Sequence, residues 1–68
     1  MSKRKIAQVG HATVYRDAEW GEYVVMTPDQ RQNPALFGDG YHTDDRGDAM
    51  ASAQNISDRW ASAQAVPA

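Results

Sequence analysis

The sequence predicts an α+β domain: a three-stranded antiparallel sheet crossed by one amphipathic C-terminal helix, in the order β-β-β-α. Three observations carry this expectation. Residues 12–16 alternate, with Ala12 and Val14 on one face and Thr13 and Tyr15 on the other. Glu22 to Thr27 concentrates the strand formers Tyr23, Val24 and Val25. From Asp44 onward the period changes, and Ala49, Ala53, Ile56 and Trp60 recur at helical spacing.

Taken in order, residues 1–5 are polar and read as a flexible basic N-terminus, ahead of a single domain over 6–63. Ile6 to Arg16 is a β-leaning mixture. Asp17-Ala18-Glu19-Trp20-Gly21 reads as a hairpin loop, with Gly21 able to take a positive φ. The strand from Glu22 stops at Pro28, which has no amide to give a ladder. Residues 28–40 hold Pro28, Pro34, Gly38 and Gly40 and read as a long connection. A short turn there would tuck Leu36 and Phe37 under the sheet. Tyr41-His42-Thr43 forms a brief third strand. Asp44 or Asp45 can cap the helix, and Asp48 three residues after Asp45 is spaced like a capping box. The helix frays after about Ala63, and 64–68 is a flexible tail. One sheet face is left without a helix, to be solvated or packed against a partner or a second copy as a homodimer.

At 68 residues with no cysteine, the chain has neither disulfides nor thiolate zinc to brace it. A domain of this size buries only ~60% of its unfolded surface. The run Val24-Val25-Met26 is far short of the ~20 apolar residues of a membrane span. No apolar stretch follows Lys3-Arg4-Lys5, so a secretory signal is not expected and a cytoplasmic location is. The net charge of −2 conceals an asymmetry. Without that basic tripeptide, residues 6–68 hold four bases against nine acids, or −5. From Asp17 to Asp48 there are eight acids and two bases, or −6. A phosphate-binding domain would carry the opposite sign.

Motifs for chemistry are few. His42 with Asp44 and Asp45 has metal-ligand residue types, but aspartates at a helix start are read first as caps. No serine lies in a Gly-x-Ser-x-Gly elbow, and the chain is short for a deep pocket, so no enzyme, metal or cofactor is expected. Gly38-Asp39-Gly40 lacks the lysine of a phosphate loop and centres an acid. Arg46-Gly47-Asp48 spells an adhesion tripeptide, yet it opens a helix and is read as chance. Trp20 has two readings. It folds over the helix end as core, the favoured one, or it stands out beside Glu19 and Glu22 as a binding anchor with an acidic rim. The acids themselves either solubilise a small protein or mimic phosphates on a basic groove of another protein.

Glu19-Trp20-Gly21-Glu22-Tyr23-Val24-Val25, then Tyr41-His42-Thr43-Asp44-Asp45 and Asp48-Ala49, resembles small proteins encoded by phages and mobile elements, including anti-CRISPR proteins. That resemblance spans roughly 12–56. It implies a short α+β inhibitor that blocks a CRISPR–Cas complex by direct binding, in some cases as a DNA mimic. The same span also resembles HicB antitoxins, through Tyr23-Val24-Val25-Met26-Thr27-Pro28-Asp29 and Asp48-Ala49-Met50-Ala51-Ser52-Ala53. It departs from them in having Gly38-Asp39-Gly40 where they have a Gly-Cys step, and in ending at Ala68 without a DNA-binding segment. The expected function is therefore a non-enzymatic inhibitor acting through Asp17, Glu19, Trp20, Glu22, Asp39, Asp44, Asp45 and Asp48 on a basic protein surface, a CRISPR–Cas subunit above all. Direct nucleic-acid binding is not expected. A HicB-like antitoxin is the first alternative, and a nucleic-acid module using Lys3, Arg4, Lys5 and Arg16 the second.

Overall fold

A computed structural model describes residues 3–64. Four strands form one antiparallel meander in the order β1-β2-β3-β4: β1 Lys3–Val9, β2 Ala12–Asp17, β3 Glu22–Met26 and β4 Tyr41–Thr43. Two short helices, α1 Pro28–Gln32 and α2 Pro34–Phe37, lie between β3 and β4, and α3 Arg46–Gln64 closes the chain. The fold is α+β with an antiparallel sheet and a C-terminal helix, as expected, but it has four strands and not three.

The fourth strand comes from dividing 6–16 in two. Val9 pairs with Ala12, so Gly10 and His11 alone make the turn. Gly10 holds φ 58°, which glycine adopts at no steric cost at the first central position of a two-residue hairpin. Lys3, Arg4 and Lys5 are not a frayed terminus. They are the first residues of β1, opposite Asp17, Arg16 and Tyr15. Residues 1, 2 and 65–68, the rest of the expected flexible ends, lie outside the described residues.

α3 packs chiefly on β2 and β3 and more lightly on β1 and β4. Its buried stripe is Ala49, Ala53 and Ser57, side chains small enough for the helix to lie close to the sheet. They meet Ala12, Val14 and Val25, with Ile6, Ala7, Val9, Tyr23, Met50 and Ile56 around them. Full burial of Val14 and Val25 is worth about 1.5–3 kcal/mol each. The core is thin, and polar ties supplement it. Ser57 Oγ accepts the His11 amide at 2.7 Å, and Trp60 Nε1 donates to Asp29 Oδ2 at 3.1 Å.

The connection 28–40 is more ordered than its prolines and glycines predict. Thr27 caps α1 through a reciprocal capping box with Gln30, and Asn33 caps α2 by accepting from the Leu36 amide. Pro28 and Pro34 sit at the first turns, where a missing amide costs nothing. Leu36 and Phe37 do not tuck under the sheet. They are 71% and 50% exposed, because α2 closes in one turn with no layer above it. On the face away from α3, Thr13 and Val24 are nonetheless fully buried. Tyr15 and Met26 join Pro28, Arg31 and Gln32 of α1 around an open cleft of about 390 Å³.

Candidate functional site

Strand register decides where the acids go. Asp17 pairs with Glu22 across the β2–β3 hairpin, and Tyr23 pairs with Thr43. The step from β4 into α3 therefore lies beside Glu22, and Asp44 and Asp45 join Glu19 and Glu22 at one end of the sheet. The N-terminus of α3 is at this end too, and its dipole favours the carboxylates around it.

The eight expected residues do different work there. Asp17 is buried at the end of β2, and its Oδ1 accepts the Glu19 and Trp20 amides at 3.0 and 3.3 Å. It holds the hairpin in shape. Asp45 Oδ1 accepts the Gly47 amide at 2.9 Å, and its carbonyl begins the helical ladder by accepting from Ala49. Asp48 does not complete a capping box with Asp45. Its carboxylate faces the sheet and takes a 2.6 Å bond from the Tyr41 hydroxyl. That bond holds Asp48 below the ordinary carboxylate range, with help from Thr43 and Ser52, and pushes the Tyr41 phenol above its own. Asp44, Glu19 and Asp39 are exposed.

Trp20 is 75% exposed, which overturns the favoured core reading and leaves the exposed one. Trp60 takes the place at the helix end instead, its ring 4.9 Å from His11 and its indole N–H on Asp29. A four-residue hairpin loop, 18–21, pinned by Asp17 leaves Trp20 at its tip with no layer to fold into.

His42 organises the site in a way its sequence neighbours did not indicate. It pairs with Val24 on the face away from α3, not with Asp44 or Asp45. Its Nδ1 lies 3.2 Å from Glu22 Oε2 and its Nε2 3.3 Å from Asp39 Oδ2. The two carboxylates approach opposite nitrogens, so they do not converge on a shared ion, and among the described residues no metal-binding group forms. Contacts this exposed contribute at most ~1 kcal/mol each, but they draw Asp39 from the loop to the acidic end. Only the β3–β4 register could have revealed the arrangement.

The basic side chains are arranged differently. Arg16 stacks on the Tyr23 ring at 5.0 Å and donates to the carbonyls of Asp17 and Glu22. It is thereby tied down within the sheet, whereas Lys3, Arg4 and Lys5 are exposed along β1 and Arg31, Arg46 and Arg59 are exposed on the helices. No helix among the described residues is long and apolar enough to cross a membrane. The arrangement offers an array of hydrogen-bond acceptors and one aromatic anchor. Comparison of the chain with family models, curated proteins and solved structures finds no match.

Proposed function

We propose that the chain is a non-enzymatic inhibitor that docks the acidic end of its sheet on the basic nucleic-acid-binding site of a larger protein. The observation that supports this is the register that sets Glu22, Asp44 and Asp45 at the end of the sheet where the hairpin carries an exposed Trp20, with Asp39 linked to Glu22 through His42. Neighbouring strands lie ~4.8 Å apart, so Asp17, Glu22 and Asp44 step across the end of the sheet at regular short intervals. Asp17 shapes the hairpin in this reading, and Asp44, Asp39 and Trp20 make the contact. Exposed carboxylates at the end of the sheet compete for arginines and lysines that otherwise hold phosphates. Trp20 supplies the apolar centre that exposed charge lacks.

The anti-CRISPR class is the specific form of this reading. The target is the DNA-binding surface of a CRISPR–Cas complex in the bacterial cytoplasm, and no cofactor takes part. Target-DNA binding by a purified complex, titrated with the protein, is the test. Loss of DNA binding that weakens as salt rises supports the reading, and unchanged DNA binding at saturating protein overturns it. The free outer edge of β4 favours one other reading, a HicB-like antitoxin that lays this edge across a toxin's RNA site. Rescue of growth on co-expression with a neighbouring toxic reading frame separates the two.

A further inference from the structure

The sheet has two free edges, and they differ in charge. β1 carries Lys3, Arg4 and Lys5 in succession, all exposed. β4 is flanked by Asp39 and by Asp44 and Asp45, with Glu22 behind His42. We propose that the chain binds a second copy of itself edge to edge, β1 of one copy continuing the sheet beyond β4 of the next.

Register makes the two edges fit. Strand direction alternates along the meander, so β1 and β4 run antiparallel, and a copy displaced sideways continues the same alternation. Lys3 lies level with Asp17 and Glu22, and one place beyond them stands Asp44. Arg4 lies level with Arg16, Tyr23 and Thr43. Lys5 lies level with Tyr15, Val24 and His42, and His42 holds two carboxylates. The displaced copy thus sets Lys3 beside Asp44 and Lys5 beside the Glu22–His42–Asp39 cluster. One pair further on, Ala7 comes level with Val14, Val25 and Tyr41, whose ring is exposed. α3 packs chiefly over β2 and β3 and more lightly on β1 and β4, and neither edge strand has a second strand beside it among the described residues.

The contact is head to tail, so each copy keeps one edge free and association grows with concentration instead of stopping at a pair. β4 offers three residues, and β1 shifts register between Lys5 and Ala7. Short and irregular edges limit strand pairing, so charge provides most of the attraction. This proposal is independent of whether the acidic end also binds another protein.

Sedimentation velocity over a concentration series is the test. In ~10 mM salt, where the screening length is ~30 Å, the wild type should sediment faster as concentration rises. In ~1 M salt, where that length is ~3 Å, it should return to monomer. Arg4→Glu/Lys5→Glu makes both edges acidic, and Asp39→Lys/Asp44→Lys cancels the acidic charge of β4 and sets a lysine opposite Lys3. Each variant alone should stay monomeric at low salt. An equimolar mixture of the two, each shown folded by circular dichroism, should associate again. Should a variant not fold, the wild-type salt series still decides. A wild type that stays monomeric at every concentration in low salt overturns the proposal and leaves the edge to a basic strand of another protein. Association that persists unchanged in ~1 M salt, or a mixture of folded variants that stays monomeric, overturns it as well.

Discussion

The two ends of the sheet are built from similar residues and use them in opposite ways. At the Gly10–His11 turn, polar groups face inward. The His11 amide bonds Ser57, the Trp60 indole bonds Asp29, and Thr27 and Gln30 cap each other. At the Asp17–Glu22 hairpin, only Asp17 turns inward, while Trp20, Asp44 and Asp39 are exposed. Each end has one tryptophan and a turn glycine of positive φ, Gly10 at one and Gly21 at the other. One end holds α3 on the sheet, and the other presents charge to whatever approaches.

That contrast can be broken most sharply at its glycines. A Cβ on Gly10 would collide with Ser57 Oγ, and φ 58° is a left-handed conformation. Gly10→Ala should cost about 3 kcal/mol, from ~1–2 for the backbone and a similar amount for the clash. In a domain this small, each 1 kcal/mol moves Tm by about 4–8 °C, so thermal melts resolve it easily. Gly21 holds φ 65° but has open space around it, and Gly21→Ala should cost only about 1 kcal/mol. Equal losses at the two sites would remove the asymmetry.

The tryptophans come next. Trp60→Ala should lose about 2–3 kcal/mol by chemical denaturation, less than a fully buried tryptophan because Trp60 is half-buried. Trp20→Ala should change stability by less than ~0.5 kcal/mol. It should instead weaken partner binding by about 2 kcal/mol, as loss of an anchor does. Ser57→Ala removes the acceptor of the His11 amide in a part-buried bond and should cost about 1 kcal/mol.

The smallest effect is a pH dependence at the acidic end. Asp48 is held below its ordinary value in the folded state, so its contribution is present above the unfolded carboxylate range and fades as pH falls through the folded value. Tyr41 is raised, so its contribution is present below the unfolded phenol range and fades as pH rises through the folded value. The Tyr41–Asp48 bond thus stabilises between those limits. Tyr41→Phe should flatten both the acid and the alkaline limb of a stability–pH curve while leaving its shape at neutral pH unchanged.

Much of the fold was legible because its strongest elements are locally consistent. Tyr23-Val24-Val25 and the Ala49–Trp60 spacing each specify one structure without help. β1 was missed because Val9-Gly10-His11-Ala12 turns the chain in two residues, a glycine signal easily read as part of a longer strand. α1 and α2 were missed because Pro28 and Pro34 were read as breakers, when Thr27 and Asn33 before them make each a first-turn proline. At the candidate site, the local charge count located the acids but did not distinguish their roles. Asp17 as a hairpin pin was within reach, since an aspartate two residues before a backbone amide commonly bonds it. The Glu22–His42–Asp39 cluster was not, because it depends on a pairing between strands that 14 intervening residues separate.

The central claim is that the acidic end binds and the opposite end folds. The most direct measurement is the affinity for a purified CRISPR–Cas complex of the wild type and of a variant combining Asp39→Lys, Asp44→Lys and Trp20→Ala, with the unfolding midpoint of each. The account predicts that the variant melts within a few degrees of the wild type and loses binding at least about thirtyfold, a difference of about 2 kcal/mol. A variant that melts normally and binds as tightly as the wild type would contradict it.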